Sequence, residues 1–172
     1  ELLNSNIKDK VVMITGAGGS IGSEITRQVI KYQPRKVLIL DSNEFALYTI
    51  SNEIKALNSD VEVFSLLANV LDNARLKEIL ETFDVNTIYH TAAYKHVPLV
   101  EENPFEGVVN NIYGTQSCVE AAISAEVETF VLISTDKAVR PTNIMGATKR
   151  FAELILQTYS NDPVNKNTRM TM

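Results

Sequence analysis

Tryptophan is absent from these 172 residues, and cysteine occurs once, as Cys118. A single cysteine excludes an internal disulfide framework and fits a reducing compartment. Histidine is nearly missing too: with only His90 and His96, and no helical His-x-x-x-His pair, no metal site is expected. No stretch approaches the ~18 consecutive apolar residues of a membrane span, and no charged-then-apolar leader opens the chain. Basic residues are outnumbered, 16 Lys and Arg against 21 Asp and Glu, for a formal charge of −5. Without a basic cluster or an aromatic-interleaved basic stripe, no nucleic-acid partner is expected. Internal repeats, low-complexity tracts and linker-like boundaries are lacking as well. The expectation is one soluble, cytoplasmic domain over residues 1–172.

What remains is an ordinary globular composition, 45% hydrophobic and 22% charged, arranged with a clear rhythm. Short apolar runs at 11–15 (VVMIT), 36–40 (KVLIL), 61–67, 85–90 and 129–134 have the character of buried parallel strands. Between them lie helical stretches at about 20–32, 43–57, 73–82 and 104–125, and another running from near Pro141 to Tyr159. Pro141 suits a first helical position, where its missing N–H is not needed. The closing residues TRMTM (168–172) read as the start of a sixth strand. This alternation predicts an α/β fold, a doubly wound parallel sheet of Rossmann type with α-helices on both faces. Right-handed crossovers then gather the residues that follow each strand along one edge.

Those residues are the informative ones. After the first strand, TGAGGSIGSE places Gly16, Gly19 and Gly22 at GxxGxxG spacing. Such a loop permits the turn, lets phosphates approach the backbone and lets the helix pack closely, while the helix N-terminus at Ser20 and Ile21 favours a pyrophosphate. The second strand ends in Asp41, followed by Ser42 and no arginine, which suits an adenosine ribose bearing no 2′-phosphate. The expected cofactor is therefore NAD. Asn69 and Val70 follow the third strand as candidate adenine contacts. Ala92 and Ala93 follow the fourth, small enough for a backbone to lie against the cofactor. Cys118 reads as a buried helix residue.

The segments TGAGGSIG, HTAAYKHV, NIYGT (111–115) and STDKAV…MGATK are similar to those of the short-chain dehydrogenase/reductase superfamily, in its extended, nucleotide-sugar-modifying branch. Within that branch, AAYKHVPLVEENP and STDKAVRPTNIMGATKR resemble the UDP-N-acetylglucosamine 4,6-dehydratases of polysaccharide and glycan biosynthesis. They are most like the large membrane-anchored members that carry methionine in place of a catalytic tyrosine. The resemblance implies oxidation of sugar C4, elimination of water across C5 and C6, and return of the hydride to C6. It also implies a UDP-sugar substrate, a homo-oligomer built on the helices at about 104–125 and 142–159, and a parent protein on the cytoplasmic face of the bacterial inner membrane. The chain would be its NAD-binding part, truncated before a C-terminal sugar-nucleotide-binding portion.

By the same resemblance, Lys149 holds the nicotinamide ribose and Thr135 bonds the C4 oxygen. Asp136 protonates the departing C6 hydroxyl, Lys137 takes the C5 proton, and Asn111 holds a helix kink and a bound water. Met145 stands one turn before Lys149, where relatives have tyrosine, and a thioether cannot donate a proton. A water relaying to Asp136 or to solvent is the expected substitute. Acid–base work further requires Asp136 neutral, its pKa raised by burial, and Lys137 uncharged, with the two side chains pointing apart. A nucleotide-sugar epimerase on the same fold, which needs no such pair, and a non-catalytic NAD-binding sensor are the alternatives.

Overall fold

The computed structural model describes residues 2–57 and 60–172. Six strands form one parallel sheet: β1 (Val11–Thr15), β2 (Lys36–Asp41), β3 (Glu62–Leu67), β4 (Thr87–His90), β5 (Thr129–Leu132) and β6 (Arg169–Thr171). Their order is β3-β2-β1-β4-β5-β6. The chain leaves β1 towards one edge and later returns to its other side at β4, with Ile14 level with Ile39 on one flank and Tyr89 on the other. The switch in direction therefore falls between β1 and β4, where open parallel sheets hold their ligands.

The two faces of β1 follow from period-two geometry. Val11 and Met13 join one buried cluster, with residues of α4 (Asn73–Phe83), α7 (Gly114–Ser124) and α8 (Ile144–Ser160). Val12 and Ile14 join the other, with residues of α2 (Ser20–Lys31) and α3 (Glu44–Ala56). Every residue of β1 is buried, so the strand carries no polar alternation, as expected of a sheet covered on both sides.

The expected helices differ from the observed ones in three places. The stretch at 104–125 is helical throughout but not regular: α6 (Pro104–Val108) passes into a π-helical turn, Val109–Tyr113, before α7. The last long helix starts at Ile144, not near Pro141. Asn143 caps it, accepting the Gly146 N–H at 2.8 Å, while Arg140 lies in the left-handed region at φ 49° and cannot continue a helix. Two short helices had no sequence counterpart, α1 (Leu2–Ile7) and α5 (Val97–Glu102). Strand ends also move inward: β4 begins at Thr87 because the left-handed cap at Asp84 turns the chain first, and β5 stops at Leu132.

Phe130 on β5 is fully buried in the first cluster. Phe130→Ala is expected to lower the free energy of unfolding by about 3–5 kcal/mol. Tyr48→Ala, at a position of α3 that is 64% exposed, should change it by no more than about 0.5 kcal/mol. Urea titrations followed by circular dichroism check both, and equal losses would contradict the packing of β5.

Candidate active site

Two adjoining cavities occupy the edge formed by the strand C-termini. The first, of about 350 Å³, is lined by the glycine loop, the end of β2 and the segment after β4. Gly16 sits at φ +66° with its Cα against Ala92, so that a side chain there would lie 2.7 Å from the Ala92 backbone. At Gly22 a Cβ would lie 2.1 Å from the Gly16 carbonyl. Both positions therefore exclude any side chain, and they bring α2 close beneath the loop. The first turn of α2 has no side-chain cap, leaving backbone N–H groups and the helix dipole free for an anion. Lys95 reaches across from the β4 side to Ser20 Oγ at 3.2 Å.

Asp41 is tied to the same loop. Its Oδ2 accepts the Gly18 N–H and its Oδ1 the Asn43 N–H, each at 2.9 Å. Asn43, not Asp41, caps α3 by accepting the Ala46 N–H. Of the expected cofactor contacts, Gly16, Gly19, Ser20, Ile21, Gly22, Asp41, Ser42, Val70, Ala92 and Ala93 line this cavity. Asn69 does not, and its amide oxygen accepts the Leu71 N–H at 2.9 Å. An uncapped helix start, a close-packed glycine turn and an acidic strand end make a set of donors and acceptors that fits a dinucleotide's pyrophosphate and ribose.

The second cavity, of about 310 Å³, shares Ile21, Thr91, Ala93, Tyr94 and Lys95 with the first. It adds Ile133, Ser134, Thr135 and Lys137 from the exit of β5, and Met145 and Lys149 from α8. Lys149 is buried, and its Nζ donates to the Ile133 carbonyl at 2.7 Å. Burial pulls its pKa down to about 8, against the opposing pull of Glu153 one turn further along α8. Burial also works against the Glu153 carboxylate. Hydrogen bonds from Ser134 (2.5 Å) and Arg150 (2.8 Å) outweigh it and hold that carboxyl below the usual range. Lys149 and Glu153 thus grip the consecutive residues Ile133 and Ser134. At Gly146 a Cβ would lie 2.3 Å from the Lys137 carbonyl, so the helix also lies tight against the turn at Asp136–Ala138.

The acid–base dipeptide departs from expectation. Asp136 does not line the cavity. Its carboxylate accepts the Thr135 hydroxyl at 2.9 Å and stands 3.7 Å from Lys137 Nζ. The Thr135 bond, then the charge of Lys137, keep its pKa below the ordinary carboxylate value rather than above it. The two side chains meet as an ion pair instead of pointing apart as neutral groups. The cause is exposure, 90% for the Asp136 side chain and 51% for that of Lys137, which removes the desolvation on which the opposite shifts depended.

Asn111 occupies the π-turn, buried, with every amide atom engaged. Its oxygen accepts the Tyr94 N–H (2.7 Å), and its nitrogen donates to the Tyr94 carbonyl (3.0 Å) and to Thr148 Oγ1 (2.9 Å). His90 lies behind it. Thr115 spends its hydroxyl proton on the Asn111 carbonyl (2.7 Å), so its oxygen accepts from His90 Nε2–H at 3.2 Å, and His90 Nδ1 accepts from Thr15 at 2.7 Å. Burial, helped by Lys149, drops the His90 pKa to about 3 and keeps the ring neutral. Cys118 is buried, its thiol pushed up by desolvation. Among the described residues no three His, Cys, Asp or Glu side chains gather as a metal site, and no helix is long and apolar enough to cross a membrane.

Gly18, Tyr94, Ser134, Gly146 and Glu153 were not among the residues anticipated from sequence. Glu153 had a signal, its i+4 spacing from Lys149 on one helix face; Tyr94 had only its place beside Ala92 and Ala93.

The family described as "Polysaccharide biosynthesis protein" matches residues 12–172, and the chain belongs to it. The chain is 46% identical over 162 residues to the capsular polysaccharide biosynthesis protein CapD of Staphylococcus aureus, covering 94% of this chain and 27% of that protein. A UDP-N-acetylglucosamine 4,6-dehydratase (inverting) of Campylobacter jejuni is 34% identical, with 95% of this chain and 47% of that protein covered. A UDP-glucose 4-epimerase of Rickettsia rickettsii is 33% identical over 84% of this chain and 42% of that protein. Among solved structures, that of Pen from Bacillus thuringiensis superposes with a TM-score of 0.88 at 32% identity, over 96% of this chain and 49% of that one. The chain thus spans between about a quarter and a half of the length of these proteins.

The grip of α8 on β5 carries a titration signature. Glu153→Gln keeps an acceptor for Ser134 but loses the charge, and should move the midpoint of Lys149 below about 8. Ser134→Ala keeps the charge and should leave that midpoint nearly in place. Carbon-13 NMR of lysine side chains against pH measures both. Equal midpoints in the wild type and Glu153→Gln would show that the carboxylate does not act on Lys149.

Proposed function

We propose that this chain is the NAD-binding part of a nucleotide-sugar 4,6-dehydratase of the short-chain dehydrogenase/reductase superfamily, converting UDP-N-acetylglucosamine to its 4-keto-6-deoxy product. The observation that carries the reading is the merging of the two cavities. A dinucleotide-shaped groove, acidic at the ribose end, opens directly into a space lined by Thr135, Lys137 and Lys149.

In this reading the glycine loop and the start of α2 hold the pyrophosphate, Asp41 and Ser42 the adenosine ribose, and Val70 the adenine side. Ala92 and Ala93 lie against the cofactor, and Lys149 holds the nicotinamide ribose. Bound NAD supplies a hydride acceptor that later gives the hydride back. Thr135 bonds the sugar C4 oxygen, Asp136 delivers a proton to the departing C6 hydroxyl, and Lys137 takes the C5 proton. The resting ion pair is compatible with these roles. A substrate that parts Asp136 from Lys137 and excludes water removes both their attraction and their hydration. Neutral carboxylic acid and neutral amine then become the less costly forms, which are the forms the elimination needs.

The remaining parts of the enzyme lie outside this chain in the proposal: a sugar-nucleotide-binding portion and a membrane region that sets the protein on the cytoplasmic face. A homo-oligomer through α6–α7 and α8 is included, supported by Phe105, Tyr113 and Phe151 standing exposed on those segments. The epimerase reading is favoured by one observation, that Asp136 and Lys137 rest as a solvated ion pair.

Incubation of the intact protein with UDP-N-acetylglucosamine and no added cofactor separates the readings. The expected product has lost one water while the cofactor is recovered as NAD⁺, and Asp136→Asn should slow that loss by about 10²–10⁴-fold. Unchanged mass with a new stereoisomer would replace the dehydratase by the epimerase. Bound NAD with no turnover would leave the sensor.

A further inference from the structure

The site has no acid–base group at position 145. Met145 is buried in the cavity wall, and both the dehydratase and the epimerase must remove the proton of the alcohol they oxidise. Thr91 gives its hydroxyl proton to the Thr15 carbonyl at 2.7 Å. Ser134 gives its own to Glu153 and Thr135 its own to Asp136. Lys149 is committed to the Ile133 carbonyl and Lys95 to Ser20, while Lys137, paired with Asp136 at rest, serves C5 in the reading above. Tyr94 alone is left. Among the described residues its phenol has no hydrogen-bond partner, and the residue is 52% exposed at the junction of the two cavities.

Tyr94 is held as a working residue would be held. The amide of buried Asn111 closes on both its N–H and its carbonyl, fixing the backbone while the ring stays free. Asn111 is fixed in turn by Thr148, the neighbour of Lys149. The remaining tyrosines line neither cavity; the Tyr159 hydroxyl, for example, is bound to Glu120.

We propose that Tyr94 is the catalytic residue that takes the proton of the sugar C4 hydroxyl, supplying from the β4 loop the phenol that α8 lacks. In that step the exposed phenol of Tyr94 gives its own proton to solvent, the O–H bond of the alcohol breaks, and the alcohol's proton passes to the Tyr94 oxygen. The freed pair becomes the second C–O bond, and the C–H pair leaves to the hydride acceptor of the bound dinucleotide. Lys95 and Lys149 on the cavity wall provide cationic groups beside the reacting oxygen. The inference rests on the nucleotide-sugar reading above, but it holds for dehydratase and epimerase alike, because both begin by oxidising C4.

The test uses the intact protein, its Y94F and M145Y variants, the double variant, and labelling of tyrosine at Cζ. Y94F should keep its bound dinucleotide and lose about 10²-fold or more in kcat with little change in KM. Adding M145Y should restore part of that loss, by returning a phenol from the helix. The carbon-13 resonance absent from Y94F, and so assigned to Tyr94, should move when UDP-N-acetylglucosamine is added to the wild type. Y94F activity within about twofold of wild type overturns the proposal. So does a loss with neither rescue nor a moving resonance, since that pattern marks Tyr94 as structural. Should Y94F shed its dinucleotide, the resonance decides. A wild type that neither dehydrates nor epimerises any UDP-hexose sinks the underlying reading first, and this inference with it.

Discussion

Everything at the chemical end of the molecule depends on how tightly α8 lies against the chain leaving β5. Three contacts set the distance: the bare Cα of Gly146 under the Lys137 carbonyl, Lys149 on the Ile133 carbonyl, and Glu153 on Ser134. Removing a lysine from water is costly, and here the cost is offset by a carbonyl at bonding distance and a carboxylate one turn away. The carboxylate would itself be costly to bury without Ser134 and Arg150. Each charge is tolerable only because the next is in place. The same groups that make burial tolerable fix Ile133 and Ser134, and through them the position of Thr135.

A second network ties this end to the cofactor side. Thr15 at the end of β1, His90 at the end of β4 and Thr115 in α7 are linked in series, and Thr115 leads to Asn111 in the π-turn. The extra residue of a π-turn shifts the helix face. Here it accompanies an asparagine aimed at Tyr94 on one side and Thr148 on the other. The imidazole conducts no charge at neutral pH, since burial holds it neutral; it serves as a rigid strut of fixed tautomer. Groove and chemical cavity are therefore registered to each other by buried hydrogen bonds rather than by loops.

The parts of this arrangement visible in sequence were those with a local period or a fixed spacing. Apolar runs such as VVMIT announce buried strands, and the glycine trio followed by Asp41 announces the groove, because both are consequences of short-range geometry. The start of α8 was misplaced because Pro141 is a permissive helix opener, whereas the actual start needs Asn143 as cap and is excluded earlier by the left-handed Arg140. The π-turn leaves no periodic mark. The charged state of Asp136 escapes the sequence for a different reason. It depends on how much water reaches the carboxyl, and no pattern of residues along the chain states the exposure of a strand end.

Met145 makes sense within this division of labour. A buried thioether adds an apolar wall beside Lys149 and offers it nothing to bond, so the ammonium goes to Ile133 and Glu153 stabilises it. A phenol at that position would compete for the lysine. With methionine there, the proposed reading leaves α8 to bind and position, and gives the acid–base roles to the segments after β4 and β5, where Tyr94, Asp136 and Lys137 are exposed. Desolvation by a covering substrate acts most on charges that were solvated before. A buried tyrosine–lysine pair is set by its packing; exposed groups at the rim are open to the influence of whatever covers them. In the proposed reading, methionine on the helix goes with proton handling at the rim of the cavity rather than in the packed interior.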